Sequence, residues 1–159
     1  MNRPAGDTPG VIAPPPLIYL GFLLLGWALE RWVLADISLG LPDMMRRWGA
    51  VILVIAGFMI EAAATERFRS KRTAVEPWKP TTALATDGIY GVSRNPIYVG
   101  FTVIYAGLAL GMDAPVAMGL ILPCLIVLDR YVIAREERYL EAKFGREYLD
   151  YKARVRRWL

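Results

Sequence analysis

Four stretches of this chain are nearly free of charge: Leu17–Ala35, Trp48–Ala64, Ile97–Gly111 and Pro115–Leu128. A helix needs about 20 residues to cross a hydrocarbon core, and shorter spans are accommodated by local thinning or interfacial flanks. Only Met112, Asp113 and Ala114 separate the last two stretches, which therefore read as a tight helical hairpin extending beyond its apolar runs. The patterning predicts an all-α integral membrane protein. It would have about four transmembrane helices, a cytoplasmic loop and amphipathic C-terminal helices. The expected divisions are an N-terminal tail at 1–16, two helices at 17–64, the loop at 65–96, and the hairpin with its C-terminal helices at 97–159, all in one domain.

Charge placement sets the orientation. Segment 65–96 carries six Lys and Arg residues and the tail after Leu128 carries nine, against two in 36–47 and none in 112–114. Basic residues favour the cytoplasmic side, so both rich segments and both termini are expected there, in a bacterial inner membrane. The start of the chain is rich in Pro and Gly with Arg3 its one cation before the apolar run, and no small-residue cleavage site follows. The first stretch is thus expected to be a retained span rather than a signal peptide. The net charge of +4 reflects this asymmetry. The basic residues lie beside spans and among acids, so no nucleic-acid partner is expected.

The composition also removes whole classes of chemistry. There is no histidine and only one cysteine, Cys124. Ser-His-Asp triads, Cys-His pairs, disulfide scaffolds and nearly all zinc sites are excluded, and no metal is expected. Glu61, about one turn inside the second span, is a functional suspect by its position, or else a side chain that snorkels to the interface. Glu30 and Arg31 read as a neutralised interfacial pair, Cys124 as filler beside Pro123, and Trp27, Trp32, Trp48 and Trp158 as interface residues. Gly107-Leu108-Ala109-Leu110-Gly111 reads as a small-residue packing face, which also allows a homodimer.

The informative residues lie next to the spans. Two prolines in Pro77-Trp78-Lys79-Pro80 limit helix, and Asp87-Gly88 signals a turn. Asn95 can cap a helix that starts at Pro96. The fourth span is expected to continue to about Lys143, roughly 43 Å at 1.5 Å per residue, leaving the bilayer near Asp129. Beyond it Ile133, Glu137, Leu140, Phe144, Tyr148, Tyr151, Val155 and Trp158 form one helical stripe, with Gly145 a break. Such a stripe suits a tail packed on the membrane surface. Glu136 and Glu137 fit that description less well, because they fall where the emerging helix faces the Asn95-Pro96 turn.

Taken together, Gly88-Ile89-Tyr90, Ser93-Arg94-Asn95-Pro96-Ile97-Tyr98-Val99-Gly100, Glu136-Glu137-Arg138-Tyr139-Leu140, Phe144-Gly145 and Tyr148-Leu149-Asp150-Tyr151 resemble the isoprenylcysteine carboxyl methyltransferase family. The related phospholipid methyltransferases share these parts. The resemblance covers about residues 48–159. It implies an integral membrane methyltransferase that uses S-adenosylmethionine, bound on the cytoplasmic side under the loop and the C-terminal helices. By motif position, Thr82, Ala83, Leu84, Ala85 and Tyr90 would line the cofactor site. Asn95, Pro96, Ile97 and Tyr98 would hold it largely through backbone groups. Glu136 would take the ribose hydroxyls or the ammonium, with Glu137 beside it.

Arg94, within the motif, and Arg135 are the expected catalytic arginines. An arginine that eukaryotic members place four residues before the acidic position falls here on Val132, for which Arg130 or Arg135 would substitute. Many members carry histidine where Asn95 stands. Asparagine keeps donor capacity but does not titrate near neutrality. Methyl transfer is an in-line displacement that depends on positioning and desolvation, and a carboxylate or thiolate acceptor needs no base. For an amine acceptor, Glu136, Glu137 and Tyr98 are the nearby candidates. The expected partner is a lipid-like or prenylated acceptor, most simply a prenylcysteine-type carboxylate. Two other classes remain open at this level: an NADPH-dependent membrane reductase of related architecture, and a non-catalytic membrane interaction protein.

Overall fold

The computed structural model describes residues 8–10, 13–34, 37–71 and 81–159, which are helical without any strand. The elements are α1 (Pro15–Leu34), α2 (Asp43–Ser70), a 3-10 turn (Gly88–Gly91), α3 (Pro96–Gly111), α4 (Pro115–Phe144) and α5 (Arg146–Arg154). The Pro77-Trp78-Lys79-Pro80 stretch and most of the N-terminal tail lie outside the described residues. Helices α1, α2 and α4, of 20, 28 and 30 residues, are long and apolar enough to cross a membrane. Helix α3 has 16 residues and reaches only about 24 Å at 1.5 Å per residue. The four expected spans are therefore three full-length helices and one short one.

Proline sets three of the starts. Pro15, Pro96 and Pro115 stand in the first helical turns, where a missing N–H costs nothing. Helix α2 extends past its apolar run at both ends, because charged residues from Asp43 to Arg69 still favour helix where water reaches them. Helix α4 is continuous to Phe144 but includes a π-helical turn at Leu128–Ile133. Gly145, at φ 53°, breaks it from α5 as its sequence position suggests.

Helix α3 is the centre of the packing. Helix α2 runs along one side of it, and α1 lies against α3 and the first turns of α4; α1 and α2 share no extended interface. Glycines make the α2–α3 approach possible. A Cβ at Gly100 would stand 2.7 Å from Glu61 Cγ, and one at Gly107 would stand 3.0 Å from the Ala50 carbonyl. Where lipid removes the hydrophobic drive for association, such close backbone packing supplies it. The small-residue face around Gly107 is thus used inside the chain, against α2, and is not left for a second copy.

Several polar groups among the spans are paired, whereas Glu61 Oε1 in α2 is buried without a hydrogen-bond partner. Tyr19 Oη donates to the Tyr98 carbonyl at 2.9 Å, and Tyr105 Oη to the Ala117 carbonyl at 2.8 Å. Glu30 does not pair with Arg31. Its carboxylate accepts from the Val116 N–H instead, one of the unsatisfied donors at the start of α4. At the α3–α4 turn, Asp113 accepts from the Leu39 N–H at 3.0 Å and from Ser38 at 2.9 Å, and meets Arg46 at 2.6 Å. The Leu39 N–H, with these partners, holds its carboxyl below the usual range. Cys124 is buried in the core, packed against the neighbouring helices. Trp158, expected at the interface, donates its indole N–H to Asp129 at 3.2 Å.

Candidate functional site

The C-terminal half of α2, the segment 81–98, the extension of α4 and α5 enclose a cavity of about 290 Å³. The segment 81–98 is held from both sides. Tyr90 is buried against Ala64, Phe68 and Ala85, and its carbonyl accepts from Tyr151 Oη at 2.8 Å. Burial raises the Tyr90 phenol above its ordinary range, so it stays protonated. On the other side, Tyr148, Tyr151 and Val155 pack with Leu84, Leu140 and Phe144. The C-terminal stripe therefore faces this segment rather than a membrane surface.

The two adjacent glutamates have different surroundings. Glu136 lines the cavity and accepts from Tyr98 Oη at 2.7 Å. Glu137, 5% exposed, is held by Arg94 at 2.6 Å and by Arg157 Nε and Nη2 at 3.1 and 2.6 Å. Arg157 also grips Asp129 at 2.9 and 3.0 Å. The Glu137 carboxylate, with Asp129, pushes this guanidinium still further above its ordinary range.

Arg94 is spent in the same network. Besides Glu137 it donates to the carbonyls of Lys152 and Val155 at 3.1 and 2.7 Å. Asn95 is the residue before α3, but its side chain does not cap the helix. Its Nδ2 donates to the Arg157 carbonyl at 2.9 Å, while the Ser93 hydroxyl accepts the Asn95 N–H at 3.1 Å. The chain end thus braces the Asn95-Pro96 turn from outside the cavity.

Of the residues singled out from sequence, Ala83, Leu84, Ala85, Tyr90, Arg94, Asn95, Ile97, Tyr98, Glu136 and Glu137 share the cavity wall. Thr82 is exposed, Pro96 is buried, and neither is on the wall. Arg135 is not on it either; its guanidinium donates to the Gly10 carbonyl at 2.8 Å. Val132 is wholly buried in the apolar core. The motifs did not single out Thr65, Phe68, Phe101, Tyr139 or Arg157 for the site. Phe68 and Thr65 follow Glu61 at helical spacing, which is a usable signal. Nothing near Arg157 in sequence distinguishes it from its basic neighbours.

The charged residues of the described wall are Glu61, Arg94, Glu136 and Glu137. Arg94 and Glu137 neutralise each other, so the other charged groups of the described wall are carboxyls, set among aromatic and aliphatic side chains and the polar Thr65, Thr81 and Asn95. That composition suits a cationic ligand with an aromatic or apolar body. A helical protein of membrane-crossing length, with a cavity lined by carboxyl groups under its C-terminal helices, is the class that fold and site define.

The chain belongs to the phospholipid methyltransferase family, whose sequence profile matches residues 45–147. That range runs from the first turn of α2 past Gly145 and omits α1. The chain is 33% identical over 75 residues to protein-S-isoprenylcysteine O-methyltransferase B of Arabidopsis thaliana, covering 45% of this chain and 36% of the plant protein. It is 60% identical over 35 residues to an uncharacterised protein of Haemophilus influenzae, covering 22% of this chain and 56% of that one. The matches thus span about half or less of either relative's length.

Proposed function

We propose that this protein transfers a methyl group from S-adenosylmethionine to an acceptor that is embedded in the membrane or carried on a lipid chain. The observation that carries the reading is Glu136. Its carboxylate faces the cavity, oriented by Tyr98 Oη, with no cation of the described wall to neutralise it. A cationic cofactor fits such a group, and Leu84, Ala85, Tyr90 and Ile97 offer an apolar and aromatic wall for its base. Glu136 would hold the ribose hydroxyls or the ammonium, and the backbone of Asn95–Tyr98 would carry the rest. When bound, the cofactor supplies an activated methyl group on sulfur.

The protein's own contribution is binding, orientation and exclusion of water. Arg94 acts as a positioning residue, tying Glu137 to the chain end so that the turn at Asn95 keeps its shape. The lipid origin of the acceptor is supported by the helix arrangement. Pro15 and Pro16 of α1 and Glu61, Thr65 and Phe68 of α2 line the same cavity, and these helices do not pack along each other. An acceptor entering between them from the hydrocarbon would reach this cavity. A prenylcysteine-type carboxylate follows the plant relative's name, and a lipid amine, thiol or other acid is chemically compatible. The excess of basic residues in 65–96 and after Leu128 supports a site and both termini on the cytoplasmic side of a bacterial inner membrane.

Calorimetric titration of the detergent-solubilised protein tests the reading. S-adenosylmethionine and its demethylated product are expected to bind, and Glu136→Ala to weaken both by about 10- to 100-fold, the usual effect of losing a charged hydrogen-bond partner. Binding of NADPH alone would favour a reductase, and binding of none of the three a non-catalytic role.

A further inference from the structure

We propose that Arg157 is a positioning residue of the cavity: by bridging Asp129 and Glu137 it fixes the rotation of the α4 extension, and so aims Glu136 at the ligand. The inference deepens the methyl-transfer reading and rests on it only for the cofactor used as a probe. Arg157 is not among the described residues of the cavity wall, so it acts through its neighbours. It also lies beyond residue 147, where the match to the family profile ends, and its role follows from the geometry of this chain.

The orientation of Glu136 is set below an irregular turn. At Leu128–Ile133 helix α4 is π-helical, and the Ala134 N–H donates to the Asp129 carbonyl, five residues back. This wider turn interrupts the regular hydrogen-bond ladder. It separates the membrane-crossing part of α4 from the extension that carries Glu136 and Glu137. Neighbouring residues on a helix point about 100° apart, so rotation at the turn exchanges the side chain that faces the cavity for its neighbour. Side chains that cross the turn therefore decide where Glu136 points.

Arg157 crosses it. Its Nη1 donates to both Asp129 oxygens at 3.0 and 2.9 Å, and its Nε and Nη2 donate to Glu137 at 3.1 and 2.6 Å. The planar fork lets one side chain hold two carboxylates. The main chain fixes where that fork begins. The Arg157 carbonyl accepts from Asn95 Nδ2 at 2.9 Å, and the Arg156 carbonyl from the Arg94 N–H at 3.0 Å. Trp158, packed against the core, adds its indole N–H to Asp129 at 3.2 Å. The two sides of the cavity, the Asn95–Tyr98 turn and Glu136, are thereby referred to one residue. Arg94 does not replace it, because its side chain bonds to Glu137 and the carbonyls of Lys152 and Val155 and does not span the π-helical turn.

Thiol accessibility tests the orientation without any ligand. In a Cys124→Ala background, Arg138→Cys at an exposed position is expected to react about 10-fold faster than Leu140→Cys on the cavity wall, and adding Arg157→Gln to bring the two rates within about 3-fold. Cys124 itself should stay protected in Arg157→Gln, since the change is local. For binding, Arg157→Gln should weaken S-adenosylmethionine by about 10-fold in the wild-type background but by less than about 2-fold beside Glu136→Gln, where there is no carboxylate left to aim. Arg157→Lys keeps the charge without the fork and should behave as Arg157→Gln does. Equal thiol rates with Arg157 present, or rates that Arg157→Gln leaves unchanged, overturn the proposal. So does loss of Cys124 protection in both Arg157 variants, which would make Arg157 a determinant of the fold. Equal weakening in the two backgrounds, or full recovery in Arg157→Lys, overturns it as well. If the thiol rates converge but the wild-type protein does not bind S-adenosylmethionine, the methyl-transfer reading fails and the positioning role stands.

Discussion

Glu137→Ala is expected to destabilise the protein by about 3–5 kcal/mol, the range for breaking a buried ion pair from one side. The carboxylate side chain is 7% exposed and its partner Arg94 is 9% exposed, so the remaining guanidinium has little water to turn to. Arg94 keeps two carbonyl acceptors, but no counter-charge. Arg157 keeps Asp129 and is one-third exposed, which limits its share of the loss. The single thiol gives the measurement: Cys124 is 1% exposed and reacts with a thiol probe only when the helices open. Modification of the variant should accelerate in detergent at temperatures where the wild-type protein is protected. Glu136→Ala should leave that protection nearly unchanged while cofactor binding falls. If the two adjacent variants lose protection equally, the division between a scaffold glutamate and a ligand-facing glutamate is wrong.

That division also marks what the sequence could not convey. The pattern of apolar runs and prolines was enough to locate α1, α3 and α4 closely, and Gly145 to locate the break before α5. Both depend on local chemistry. Which of two neighbouring glutamates faces a cavity depends instead on about 100° of helix rotation, and on a guanidinium 20 residues further along. Asn95 is a similar case. Its position before Pro96 predicts a cap, yet the chain end returns and takes its side chain for the Arg157 carbonyl. Glu30 reads as the partner of the adjacent Arg31 until α4 brings an unsatisfied N–H against it. In each case a tertiary partner displaced a local one. Glu61 was suspect from its depth alone, but only the packing of Gly100 against it explains how it is directed.

Substitution of the α2–α3 glycines is expected to separate a clash with backbone from a clash with a movable side chain. A Cβ at Gly57 would meet the Ile104 side chain and stand 2.7 Å from the Gly100 carbonyl and 3.0 Å from the Ile104 nitrogen. Backbone atoms cannot rotate away, so Gly57→Ala must push the helices apart, at a cost of about 1–3 kcal/mol for overpacking. A Cβ at Gly100 meets chiefly the Glu61 side chain, 2.7 Å away, with the Gly57 carbonyl at 3.0 Å. Glu61 can yield where backbone cannot, so Gly100→Ala should cost less stability but displace the carboxylate. It should therefore leave Cys124 nearly as protected as in the wild-type protein, while Gly57→Ala should appear first as faster modification of Cys124. Gly21 in α1 provides the control, because nothing lies within 4 Å of its added Cβ. Gly21→Ala should be neutral or stabilising by up to about 1 kcal/mol, from helix propensity. If Gly100→Ala loses Cys124 protection as readily as Gly57→Ala, then the glycine serves helix approach alone. The small residues of α3 would then have no part in aiming the carboxylate. If the two effects separate, the same missing side chain that lets α2 approach α3 also makes the space in which Glu61 reaches the cavity.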